Sequence, residues 1–321
     1  MKVAVTGGAG YIGAVLAGSL LDAGHDVVAV DVLLHGQHDV ADALRARGAA
    51  VAVASIADGE ALDRAFDGAD AVVHLAAIVG DPACARDPAG ARATNVDGAR
   101  GVVGAAKRAG VGHLVFASTC SNYGRMADPT VPVDEDGELR PVSLYAEQKV
   151  EIERSLLGGA AEPVAATCLR FATVYGVAPR MRFDLTVNEF TRDLWAGRPL
   201  EVFGEGFWRP YVHVADAARA IRLVLEAPLD RVRRRVFNVG TSSENYRKLD
   251  LCELVVGHLG RGDVRYVSRQ EDPRDYKVSF ERIASELGFR AAQTVPAGIA
   301  EVAAALDGGR FADPFDERYR N

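Results

Sequence analysis

Tyr145 and Lys149 stand four residues apart in "VSLYAEQKVEIE", residues 142–153, a stretch that reads as one helix. Four residues apart is one turn, so phenol and amine share a face and reach one site. A free phenol, with a pKa near 10, is a weak base at neutral pH. An adjacent ammonium and a positively charged ring nearby would favour the phenolate. Such a phenolate could take a proton from a substrate hydroxyl while a hydride leaves the same carbon. The reaction then needs a hydride acceptor and a hydroxyl to polarise the oxygen. "FASTCSNYG" at a strand end offers Ser118, Thr119 and Ser121 for the second task, and Thr119 is the choice. The same tyrosine–lysine spacing also occurs in packed helices with no chemistry, so the case depends on what accompanies it.

What accompanies it is "TGGAGYIG", residues 6–13, which spaces Gly7, Gly10 and Gly13 as GxxGxxG between a strand and a helix. Lacking Cβ atoms, such a turn lets the backbone approach a pyrophosphate, which then rests on the free N–H groups of the helix start. Tyr11 and Ile12 lie in that start. The next strand, "HDVVAVD", ends in Asp31, placed to accept hydrogen bonds from the adenosine ribose hydroxyls. A carboxylate there repels a 2′-phosphate, and residues 32–36 (VLLHG) contain no arginine or lysine to offset it. The cofactor read from these residues is NAD rather than NADP.

The elements that must position these groups follow from the alternation of apolar runs with helix-like segments: "KVAVT", "DVVAVD", "AVAVAS", "AVVHLA", "HLVFAS" and "PVAATCLRF". Parallel neighbours need a crossover, and buried strands lack a polar face, so this pattern predicts an α/β, Rossmann-type doubly wound parallel sheet. Beyond Gly176 the pattern predicts a smaller lobe. It has a helix over "DLTVNEFTRDLWAG", short strands at "LEVFG" and "RVFNVG", and helices near 215–227, 248–259 and 281–287. "ADPTVPVDEDGELRP" reads as an exposed loop.

The whole chain bounds the answer. Its 321 residues are 49% hydrophobic and 25% charged, the balance of a folded globular protein of about two domains. A formal charge of −7 with no long basic run argues against nucleic acid as a partner. No apolar run approaches the roughly 18 to 20 residues of a membrane span, and the chain reads as structure from its second residue, so a cytoplasmic location is expected. Cys84, Cys120, Cys168 and Cys252 are scattered without metal-ligand spacing, which predicts reduced thiols and no zinc site.

Taken together, "TGGAGYIG", Asp31, "HLAA" at 74–77, "TNVDG" at 94–98, "FASTCSNYG" and "YAEQK" resemble the extended short-chain dehydrogenase/reductase family. Within it they are most similar to the NAD-dependent epimerase/dehydratase branch acting on nucleotide-diphosphate sugars, typified by UDP-glucose 4-epimerase. "LRFATVYG", "FGEGFWRPYVHVAD", "FNVG" and "DPRDYKVSFERIASELGF" extend the likeness over nearly the full length. The resemblance implies a NAD-binding domain over 1–175 and a nucleotide-sugar-binding lobe over 176–321, with segments free to interleave. It implies Thr119, Tyr145 and Lys149 as catalytic residues. Leu75, Ala76 and Ala77 would pass under the cofactor, Asn95 would support the centre of the site, and Arg209 would grip the substrate diphosphate. The helices near 90–109 and 143–158 would pair in a homodimer.

The chain departs from the family's pattern in places that bear on function. Ser55-Ile56 replaces the carboxylate that usually meets adenine after the third strand. Thr173, with Ser121 on the substrate side, stands where a sugar-contacting Asn is common. The late diphosphate arginine is absent from Asp272-Pro273-Arg274-Asp275, leaving Arg274 as its substitute. Arg180 and Arg182 of "PRMRFD" fall where relatives contact the base and diphosphate, and Arg182 is taken as substrate-binding. The acid–base pair of 4,6-dehydratases is replaced by Cys120 and Ser121, which disfavours dehydration. What remains is oxidation and re-reduction at one carbon, and the expected reaction is NAD-dependent epimerisation at C4 through a 4-keto intermediate. The alternatives are a 4-ketoreductase or dehydrogenase, and, from another class, a non-catalytic NAD sensor.

Overall fold

The computed structural model describes residues 1–268 and 274–321. Its strands are β1 (Lys2–Thr6), β2 (Asp26–Asp31), β3 (Ala50–Val53), β4 (Ala71–His74), β5 (His113–Thr119), β6 (Ala165–Phe171), β7 (Thr173–Tyr175), β8 (Leu200–Val202), β9 (Trp208–His213), β10 (Arg235–Val239), β11 (Asn245–Arg247) and β12 (Val264–Tyr266). Seven of them form one parallel sheet in the order β10-β6-β5-β4-β1-β2-β3. From β1 the chain winds one way to β2 and β3 and the other way to β4, β5 and β6. That reversal opens a crevice at the carboxyl ends of β1 and β4.

Both faces of the sheet are covered, which is why the middles of its strands are mostly apolar, with polar residues gathered toward their ends and at β6 and β10. Successive side chains alternate between two apolar layers. Val3 and Val5 join a cluster with Leu16, Leu20, Ala217 and Ile221, whereas Ala4 joins one with Leu62, Val102 and Ile152. The helices Tyr11–Asp22 and Val214–Glu226 pack together on the first face. On the second lie the helices Gly59–Phe66, Ala99–Arg108 and Leu144–Leu157.

The doubly wound parallel class is what the alternating runs predict. Two readings need correction. "RVFNVG" is not a strand of the smaller lobe: β10 pairs with β6 in register from Arg235↔Thr167 to Val239↔Phe171 and completes the main sheet. A short run such as this says that a strand forms and not which sheet edge it finds. The segment from Ala127 to Pro141 is also not simply an exposed loop. Val133 is buried and bridges Val278, and Glu135 is buried with its carboxylate accepting from Asn238 N at 2.7 Å.

The smaller lobe is built on two short sheets. One joins β7, β9 and β11, the other β8 and β12. Four of these strands, β7, β9, β11 and β12, have no counterpart in the sequence reading, because three to six residues give too little periodicity to detect.

Candidate active site

The glycine turn is held by backbone geometry that side chains would break. Gly7 has φ +72° and donates to Val30 O at 2.8 Å, tying the turn to the end of β2. A Cβ on Gly13 would lie 2.0 Å from Gly7 O, so the helix can start against the turn only without one. Asp31 closes the same end, its carboxylate accepting from Ala9 N at 3.1 Å and Leu33 N at 2.9 Å. Burial raises its pKa, and those two N–H groups oppose the rise. This cradle suits a dinucleotide: glycines where a pyrophosphate needs backbone contact, and a carboxylate in the same cavity for the ribose hydroxyls.

From this turn a cavity of about 820 Å³ runs past the ends of β4 and β5 to the smaller lobe. Gly7, Gly10, Tyr11, Ile12, Gly13, Asp31, Ser55, Ile56, Leu75, Ala76 and Ala77 line its first half. Thr119, Ser121, Tyr145, Lys149, Thr173, Arg182, Arg209 and Arg274 line the remainder. Asn95 does not line it. Its side chain is consumed by Ile78 N (2.8 Å), Ile78 O (2.9 Å) and Gln148 Oε1 (2.8 Å), which pins the loop after β4 to the tyrosine helix. It acts as a brace of the cavity wall.

The catalytic candidates are placed by β5 and by the helix Leu144–Leu157, whose first turn is capped by Ser143 accepting from Ala146 N. Ser118 points inward, donating to the buried Glu153 at 2.5 Å. Thr119, the next residue along the strand, therefore faces the cavity. Its Oγ1 accepts from Ser121 N at 3.1 Å, which leaves the hydroxyl proton for a substrate oxygen. Cys120 turns into the core with its thiol against Arg170 O, and burial holds that thiol well above its ordinary pKa. It is no acid–base group.

Lys149 is buried, donates to Ala117 O at 2.8 Å and lies 4.7 Å from the Phe116 ring centroid. Burial brings its pKa down to about 8. Tyr145 is half-buried beside it, and desolvation raises its phenol above the ordinary value. The charge acting most strongly on that phenol is Arg182, which lowers it, with Arg274 lowering it less. The expected activation draws on both the ammonium and a positively charged ring; without that ring burial keeps the phenol raised, and the ammonium is directed at a backbone carbonyl.

The cationic groups divide between the two ends. Arg209 packs 5.3 Å from the ring centroid of the buried Tyr276 and donates to Trp208 O. Arg274 donates to Ser121 Oγ at 3.3 Å and pairs with Asp81 at 3.2 Å. Asp272 and Pro273, part of the same departure from the family pattern, lie outside the described residues. Arg182 is held in a two-pronged pair with Asp184 at 3.0 and 2.5 Å. Sequence reasoning missed Tyr276, Lys248, Arg320 and Asn321 as cavity residues. Tyr276 follows Arg274 by two, a strand-like spacing that could have drawn attention to it. The C-terminal pair carries no local signal.

The two histidines set aside from chemistry are structural. His74 is buried against Phe116, bonded to Thr6 Oγ1 at 2.7 Å, and its pKa is pushed down to about 3 by burial and then by Lys149. His213 caps the helix Val214–Glu226 and meets Glu301 at 2.8 Å.

Comparison with known proteins agrees with this geometry. The model of the NAD dependent epimerase/dehydratase family matches residues 3–240. The chain is 31% identical over 310 residues to the UDP-glucose 4-epimerase of Corynebacterium glutamicum, covering 90% of each. It is 29% identical over 351 residues to a probable UDP-glucuronate 4-epimerase of Rhizobium meliloti, covering 100% of this chain and 98% of the other. It matches the crystal structure of a Thermus thermophilus UDP-glucose 4-epimerase in complex with NAD with a TM-score of 0.85 at 27% identity, covering 96% and 99% of the two chains.

Proposed function

The chain belongs to the NAD-dependent epimerase/dehydratase family, and from that premise we propose that it inverts C4 of a nucleotide-diphosphate sugar through a transient 4-keto intermediate. One observation carries the reading: a single cavity joins the glycine turn and Asp31 to Thr119, Tyr145 and Lys149, and continues to Arg209 and Arg274. The chemistry that bound NAD would supply is reversible hydride acceptance at C4, inversion requiring the hydride to return to the opposite face of the ketone. Every other task falls to the protein. Tyr145 takes the proton from the C4 hydroxyl and restores it, while the free hydroxyl proton of Thr119 holds the same oxygen. Lys149 tethers the nicotinamide ribose. Arg209 and Arg274 meet the substrate diphosphate.

The relatives named above act on UDP-glucose or, for the probable enzyme, UDP-glucuronate, so a UDP-sugar is the substrate class first taken up. Cys120 and Ser121 supply no acid–base pair beside Thr119, which supports inversion over elimination. The first lobe binds the cofactor and the second the sugar nucleotide. We assign the enzyme to the cytoplasm as a homodimer. Among the described residues no helix is long and apolar enough to cross a membrane. On the expected dimer face, Glu151 is paired with Arg92 and Arg100.

The test is to incubate purified protein with UDP-glucose, UDP-galactose and UDP-glucuronate in turn. Proton NMR would follow the C4 epimer, and absorbance would follow free NADH. Equilibration of a C4 pair without net NADH is expected. Stoichiometric appearance or consumption of free NADH would identify a dehydrogenase or ketoreductase instead.

A further inference from the structure

Residues 176–188 of the second lobe lie directly on the glycine turn of the first. Tyr11 Oη donates to Gly176 O at 2.6 Å, and Asn188 Nδ2 donates to Tyr11 Oη at 3.1 Å and to Arg182 O at 2.9 Å. Arg180 belongs to this segment. It is 5% exposed and lines the cavity together with Asp31, His35 and Gln37. Its Nη2 donates to Arg320 O at 2.8 Å and Asn321 Oδ1 at 2.7 Å, and its Nε is buried without an acceptor.

Both partners of this guanidinium are neutral oxygens. A buried cation held only by neutral groups is costly, and an anion entering the cavity would relieve that cost. Burial and the neighbouring Arg182 bring the Arg180 pKa down to about 10, with Asp184, Asp31 and Tyr11 opposing from nearby. Arg182 differs, because Asp184 already neutralises it.

Two anionic groups would share the cavity: the cofactor pyrophosphate and the substrate diphosphate. Asp31, His35 and Asp184 feel Arg180, the first two at the glycine-turn end. Tyr276, at the far end, feels Arg209 and Arg274. We infer that Arg180 is a cofactor-binding residue, a guanidinium presented by the second lobe and braced by Arg320 and Asn321, that takes the dinucleotide phosphates from the side opposite the glycine turn. This rests on NAD as the cofactor and adds what holds it. The dinucleotide then bridges the two lobes, which suits an enzyme that must keep its cofactor through each turnover.

The test reads binding rather than turnover. Calorimetry on nucleotide-stripped protein would use ADP-ribose, adenosine and UDP as probes. Arg180→Gln is expected to weaken ADP-ribose about 10- to 100-fold, the worth of a charge-assisted phosphate contact, while adenosine and UDP stay within about twofold. Arg180→Lys should recover part of the loss, and it carries the same comparison if the glutamine variant does not fold. Asn321→Ala, which removes the side-chain brace, should lose less in the same direction. Loss confined to UDP would return Arg180 to the substrate. Equal loss for all three probes would make it a support of the fold, and unchanged ADP-ribose binding would leave it no role. Each of these overturns the inference. Failure of the unaltered protein to bind ADP-ribose would instead sink the cofactor reading on which it rests.

Discussion

Lys149 Nζ lies 5.8 Å from the centroid of the Tyr145 ring and donates to Ala117 O. The helix brings the two residues to one site, but the ammonium is held by the sheet. Their roles should therefore separate. Tyr145→Phe is expected to lower kcat by about 100- to 10,000-fold, the usual worth of a general acid–base, with NAD content unchanged. Lys149→Met should lower both kcat and the NAD content of the purified protein. Cofactor release from heat-treated samples, quantified by absorbance, checks the difference.

The phenol gives a spectroscopic prediction. Without cofactor, burial keeps Tyr145 protonated beyond the ordinary phenol pKa of about 10. Because this acid is raised in the folded state, its contribution to stability is complete below the unfolded value and is lost as pH rises through the folded one. A positively charged nicotinamide beside the ring should bring ionisation down. Difference spectra at the tyrosinate band, with Tyr145→Phe as control, should show early ionisation only in the NAD-loaded protein. Early ionisation without cofactor would mean that Lys149 suffices.

Gly13 permits the helix to begin against the turn. Gly13→Ala places a Cβ 2.0 Å from Gly7 O, a backbone atom that can move only with the turn itself. The expected result is loss of bound NAD together with destabilisation of about 1–3 kcal/mol, the range for overpacking. Urea unfolding and cofactor content together check it. A variant that keeps NAD would show the turn to be more yielding than its geometry implies.

Beneath the site, Glu153 and Arg170 form a buried ion pair at 2.6 Å, and Glu153 also accepts from Ser118. Removing one partner strands a buried charge, so Arg170→Met is expected to cost about 3–5 kcal/mol. The double variant Arg170→Met, Glu153→Leu should recover much of that. Chemical denaturation of the single and double variants measures both. No recovery would show that Ser118 and Asn122, which bond to this carboxylate, need it more than Arg170 does.

Local order in the chain was enough for the parallel sheet, the glycine turn, Asp31 and the tyrosine–lysine pair, because each depends on residues within a few positions of one another. Gly7 and Gly13 are constrained by one turn, and Tyr145 and Lys149 by one helical face. Folding alone decided that β10 completes the main sheet and that Asn95 braces the wall rather than lining it. It also sets Arg180, Arg320 and Asn321 beside Asp31, through contacts spanning 140 residues or more of chain. The protonation of Tyr145 belongs to the same class. A residue type and a neighbour four positions away do not fix how much water is excluded, and without cofactor that exclusion raises the phenol above its ordinary value.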